Sequence, residues 1–141
     1  MPTRRSLDRG LALALALVAL ATLLPVGSGW SWGAPGAELR WYATAWTSGT
    51  AMVQLLGNLA LLGPAAALAV LRWPALGRPG RLVPLALAGG TSIELLQWAL
   101  PLGRVVSPVD ALLNASGAVL AGLFVVALRA GRPALVAAGR R

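Results

Sequence analysis

Four apolar stretches divide the chain. Leu11 to Val26 carries no charged residue and reaches membrane-spanning length if it continues to Trp30. Ala51 to Leu71, Leu82 to Leu102 and Val105 to Leu128 follow. A spanning helix needs about 20 mainly apolar residues, so the pattern predicts spans over 11–30, 51–71, 82–102 and 105–128. Only Gly103 and Arg104 separate the last two, which reads as a tight helical hairpin. The Leu-Ala alternation from Leu11 to Leu17 is not read as a strand, because an isolated strand cannot satisfy its backbone in lipid. The expected fold class is all-α: a polytopic membrane protein, one four-transmembrane-helix bundle over residues 1–141. A cleaved signal peptide is the alternative for the first stretch, since a basic start precedes its apolar run. The context Gly27-Ser28-Gly29-Trp30 is a poor cleavage site, so a retained helix is expected.

Composition excludes several function classes. The 141 residues are 57% hydrophobic and 11% charged, with a mean hydropathy of +0.74. Soluble domains carry about 25% charged residues, and this chain lacks the polar groups to cover a soluble surface. It has no Cys and no His, which removes thiolate zinc sites, Cys nucleophiles and Ser-His triads. No cofactor and no metal site are expected.

The net charge of +8 comes from arginine alone. Arg4, Arg5 and Arg9 precede the first stretch; Arg72, Arg78 and Arg81 fall at the second connection; Arg129, Arg132, Arg140 and Arg141 close the chain. The first and third connections hold one each, Arg40 and Arg104. The positive-inside rule then predicts both termini in the cytoplasm. Arginines interleaved with apolar stretches read as topology signals, so membrane lipids and no nucleic acid are the expected partners. Trp30, Trp32, Trp41, Tyr42 and Trp46 of the outer connection, 27–50, read as an aromatic belt at the interface.

Ionisable residues inside a span are costly, so each is a site candidate. Glu94 and Gln97 are three residues apart on the third stretch and share a helix face. Glu94 lies 12 residues from Leu82, about 18 Å along the axis, hence in the outer half. Asp110 and Asn114 are four apart on the fourth stretch, as are Gln54 and Asn58 on the second. Arg104, between the two carboxylates, is expected to help neutralise them. Asp8 and Glu38 lie in connections and are expected to need only solvent. Gly57 and Gly117 are expected at helix contacts, where small residues let backbones approach. Such a set is either interhelical glue or a polar pocket open to the outside. Hydrogen bonds between membrane helices contribute only about 0.6 kcal/mol on average, while an acid at mid-span costs about 2.5–3.5 kcal/mol. The balance favours a pocket.

Ser92-Ile-Glu94-Leu-Leu-Gln97, then Arg104, then Asp110-Ala-Leu-Leu-Asn114-Ala-Ser-Gly117 resembles the signature of the VanZ-like family. Gly57-Asn58 followed by Pro64 resembles that family's Gly-Asn and proline. The resemblance spans 57–122; it departs around Pro64, where Leu62, Gly63, Ala65 and Ala66 replace the family's usual Phe and Gly neighbours. It implies a small multi-pass protein of the bacterial cytoplasmic membrane, acting on the cell envelope. The family's name-giving member is linked to resistance to the glycopeptide teicoplanin, and the resemblance does not extend that activity to this chain.

The leading functional reading is a non-enzymatic, outward-facing pocket for a lipid, a lipid-linked molecule or a glycopeptide. Its candidate residues are Asn58, Glu94, Gln97, Arg104, Asp110 and Asn114, with Arg104 gripping a phosphate or carboxylate in bidentate fashion. Three alternatives stay open: an enzyme acting on a lipid-linked envelope substrate, a transporter or ion pathway in which the acids relay protons, and a structural subunit without a ligand. A homo-oligomer is compatible with so few helices.

Overall fold

The computed structural model describes residues 3–138, with side chains through Gly131. Arg140 and Arg141, and the side chain of Arg132, lie outside the described residues. Helix α1 runs Arg4–Leu23. It begins seven residues before the apolar stretch because Thr3 caps it, accepting from the Ser6 amide at 3.2 Å. It ends at Leu23, and the expected continuation to Trp30 does not form. The chain turns out of the helix at Leu24 and extends into strand β1, Trp30–Trp32.

Helix α2, Pro35–Ala43, follows with proline in its first turn, where the missing amide leaves no bond unmade. Helices α3, Gly49–Leu61, and α4, Gly63–Arg72, form one broken rod. Ser48 caps its start, and the break falls where Pro64 removes a helical donor. A 3-10 turn, Pro74–Gly77, leads to α5, Pro79–Ala99. Strand β2, Arg104–Val106, precedes α6, Pro108–Ala138.

The expected two-residue hairpin between the last two helices is therefore replaced by eight residues, 100–107, lying outside both helices. Strand β2 pairs in parallel with β1, Trp30 opposite Arg104 and Trp32 opposite Val106. Parallel neighbours need a long crossover, and here α2 to α5 provide it. The ladder is extended by Val26 donating to the Leu102 carbonyl at 2.9 Å and Gly103 donating to Gly29 at 2.7 Å. Gly103 adopts φ +69° against the backbone of Gly27, where a Cβ would collide. Glycine is required there on both counts.

Helix α6 is the axis of the molecule, packed against α5, α4 and α3. The packing is close because the contact residues are small. A Cβ on Gly117 would run into the Leu59 carbonyl of α3, and one on Gly90 into the Ala111 carbonyl of α6. The core is correspondingly light: Val70, Leu82 and Val125 form one buried cluster, Ala86, Ala115 and Ala118 another. The large apolar residues point outward, among them Leu13, Leu15, Leu17, Val53, Leu120 and Phe124. A soluble monomer does not present apolar surface on this scale; lipid-facing helices do.

Three helical stretches are long and apolar enough to cross a membrane: Arg4–Leu23, Gly49–Arg72 and Pro108–Gly131. Helix α5 is long enough at 21 residues, but its Gly89-Gly90-Thr91-Ser92, Glu94 and Gln97 keep it out of that set.

Candidate functional site

The two strands bring the end of α5, the start of α6 and the end of α1 to one place. The start of α6 is built around Ser107, which is fully buried. Its hydroxyl oxygen accepts from the amides of Val109 and Asp110, each at 3.1 Å, satisfying two of the donors that a helix start leaves open. The same hydroxyl donates to Glu38 Oε2 at 2.6 Å. The Ser107 amide donates to Glu94 Oε2 at 2.7 Å. Asp110, in the first turn of α6, accepts from the Tyr42 hydroxyl at 2.5 Å. Three carboxylates thus gather where the helix dipole is positive, which favours them.

Tyr42 sits outside the spans on α2, and Asn58 donates to its oxygen at 3.2 Å. Burial, followed by the hydrogen bond to Asp110, pushes the phenol well above its ordinary range. It remains a donor throughout the physiological range.

The end of α1 is capped from the other side. Gln97 donates to the Thr22 carbonyl at 3.1 Å. Arg104 Nη2 donates to Ala21 at 2.9 Å and Leu24 at 3.0 Å. A cation at a helix C-terminus is favourable, and in hydrocarbon each open carbonyl would be expensive. The expected neutralisation of the acids by Arg104 is not observed. Among the described residues the ion pair is Arg72 with Asp8, at 2.7 Å, between α4 and α1. A guanidinium committed to two backbone carbonyls is held away from the carboxylates. Asp8 and Glu38, expected to need only solvent, are both engaged.

Between these two capped ends lies a cavity of about 430 Å³. All six candidate residues, Asn58, Glu94, Gln97, Arg104, Asp110 and Asn114, line it. Gln54 and Gly57 line it too. Gly57, expected at a helix contact, has open space where a side chain would be; Gly117 is the one at the contact. Asn114 is 1% exposed, and its Oδ1 has no hydrogen-bond partner. The Arg104 Nε is likewise buried without one.

Glu38, Tyr42 and Ser107 were absent from the sequence-based candidates. Glu38 and Tyr42 are four apart on α2, the same-face spacing that marked the other pairs, so a signal existed. In sequence Tyr42 stands among the tryptophans of the belt. Trp32 and Trp46 are well exposed, whereas Tyr42 turns inward to Asp110.

The model of the VanZ/LLP1 family matches residues 10–129. The chain belongs to the VanZ/LLP1 family. No curated protein and no solved structure matches it. The VanZ/LLP1 match extends well beyond the 57–122 signature. It includes α1 from Gly10 onward, the strand β1 and α2, and with them Glu38 and Tyr42. With its lipid-compatible helices this is a VanZ-like membrane protein.

Proposed function

We propose that this VanZ/LLP1 protein crosses the bacterial cytoplasmic membrane four times, with both termini inside, and holds the polar head of a lipid or lipid-linked envelope molecule in its outer cavity. In this reading α5 is the fourth span, its polar face turned inward on α6. Leu82, Ala86, Gly90, Ile93, Glu94 and Gln97 are the buried positions of α5, one stripe at helical spacing. The basic connections then fall on the inner side and the cavity on the outer.

The observation that carries the reading is Asn114. Gln97, one oxygen of Glu94 and the Nη2 of Arg104 are engaged in closing helix ends, which structural glue would explain. Asn114 Oδ1 closes nothing: it is buried in the cavity wall without a donor. An unsatisfied buried acceptor costs about 1–3 kcal/mol, and a ligand group donating to it would recover that.

The test is thermal stabilisation of delipidated protein. Bacterial polar lipid should raise the melting temperature, and a headless apolar lipid such as a triacylglycerol should not. In Asn114→Ala the gain should shrink. Equal stabilisation by both lipid classes would rule out a head-group site.

A further inference from the structure

Accepting that the cavity holds a lipid head group, the donors and acceptors on its wall narrow the chemistry of that head. The wall carries one guanidinium. Both hydrogens of Arg104 Nη2 are given to the Ala21 and Leu24 carbonyls. A guanidinium grips an oxyanion bidentately either through Nε with Nη2 or through Nη1 with Nη2. Both forks need Nη2, so the bidentate phosphate grip expected of Arg104 is closed. What remains are the two hydrogens of Nη1 and the Nε–H, which is buried and without a partner. The Nε–H can make a single bond to one acceptor.

The rest of the wall is rich in acceptors. Glu94 is 8% exposed and uses one oxygen for the Ser107 amide; the other is free for a donor. Asp110 uses one oxygen for Tyr42. Neither carboxylate has an ion-pair partner among the described residues. Asn114 Oδ1, in a side chain 1% exposed, is an acceptor with no donor. Glu38 adds a further negative charge just behind Ser107. A bare phosphate placed here would face two carboxylates without an ion-pair partner among the described residues, and a guanidinium whose Nη2 is already engaged. A primary ammonium would meet acceptors on several sides, and its three N–H groups match them in kind. A quaternary ammonium carries the charge but no N–H to give.

We infer that the cavity receives a zwitterionic aminoalkyl-phosphate head group. Its primary ammonium is taken by Glu94, Asp110 and Asn114, and its phosphate by a single bond from Arg104 Nε. The ammonium neutralises the uncompensated carboxylates and donates to Asn114 Oδ1, while the phosphate accepts from the unpartnered Arg104 Nε–H. Pairing charges in a low-dielectric wall is what makes such recognition selective.

The experiment compares three phospholipids with identical acyl chains: phosphatidylethanolamine, phosphatidylcholine and phosphatidylglycerol. Each is titrated into delipidated full-length protein in mixed micelles, and retained lipid is counted by native mass spectrometry alongside the melting temperature. Phosphatidylethanolamine should bind about tenfold more tightly than either of the others, as one or two charge-assisted hydrogen bonds would give. Glu94→Gln and, separately, Asp110→Asn should reduce that preference to about twofold, each judged against its own lipid-free melt. Either amide keeps the shape of the side chain and an oxygen for its existing partner. Equal binding of phosphatidylcholine, or a preference for phosphatidylglycerol, would overturn the ammonium assignment and leave a head-group cavity standing. Retention of none of the three would overturn the head-group reading itself.

Discussion

Tyr42 shows how much one side chain here depends on its neighbours. Its hydroxyl joins α2 to α6 through Asp110 and to α3 through Asn58. Burial and then Asp110 raise its ionisation above the ordinary value of 10.0. It is the only tyrosine in the chain, so tyrosinate absorbance reports it directly. At pH 10, where half of a free tyrosine is ionised, folded protein should show little tyrosinate. Asp110→Asn should bring the transition down, because a neutral acceptor loses the charge repulsion against phenolate. The sign for stability follows. A pKa raised on folding contributes stability that is complete below about pH 10 and declines above it as the unfolded phenol ionises. Tyr42→Phe should flatten that alkaline decline. A transition at the free-tyrosine value would mean that Tyr42 faces solvent.

At the scale of elements, small residues decide which helices touch. Gly117 and Gly57 look alike in sequence: each stands in a helix near a polar residue of the signature. Their surroundings are opposite, since a Cβ at 117 meets the Leu59 carbonyl and a Cβ at 57 meets nothing. Gly117→Ala should therefore destabilise by about 1–3 kcal/mol, the usual range for overpacking, and separate α6 from α3. Gly57→Ala should be neutral or stabilising by about 0.5–1 kcal/mol, because glycine is a poor helix former. Unfolding curves of the two variants in the same micelle check this; equal destabilisation would mean that α3 and α6 meet differently. The strand pair is the other decision at this scale. It carries Arg104 to the end of α1 and lets α6 start at Ser107, so the caps and the cavity wall depend on a short ladder between two loops.

The whole molecule is arranged with polar closure at both ends of its helices. At one end Gln97, Arg104 and Ser107 close α1 and α6. At the other, Arg129 donates to the Val70 and Leu71 carbonyls at 3.2 and 2.7 Å, and Arg72 clips α4 to Asp8 of α1. The second end is also where the basic residues collect, the side that the proposed topology puts in the cytoplasm. The chain has no cysteine, so single cysteines can report the sides. In intact cells an impermeant thiol reagent should label Trp46→Cys and leave Thr3→Cys and Arg78→Cys unlabelled until the cells are opened. Leu100→Cys, at the end of α5, should be labelled with Trp46→Cys. Protection of Leu100→Cys together with Arg78→Cys would mean that α5 does not cross.

Hydrophobic length and the same-face spacing of polar pairs are local properties, and what rests on them is legible in the residues alone. That covers a helical, lipid-facing chain, its family, and the six polar residues that share one cavity. Glu38 and Tyr42 were legible in principle by the same spacing, but nothing local says that α2 folds back over α6. Which polar groups are engaged and which are open depends on how the helices and strands pack. Arg104 looked like an anion clamp until the carbonyls of α1 took its Nη2. Glu94 and Asp110 accept instead from the Ser107 amide and the Tyr42 hydroxyl, which stand where Arg104 was expected. The replacement of a tight hairpin by a parallel strand pair was likewise invisible, because its partners lie in the first and third connections and meet only after α2 to α5 have packed. Hydrogen bonds between distant backbone groups carry no sequence code of their own. They form where folding leaves a carbonyl or an amide without water, and the nearest long side chain supplies the partner.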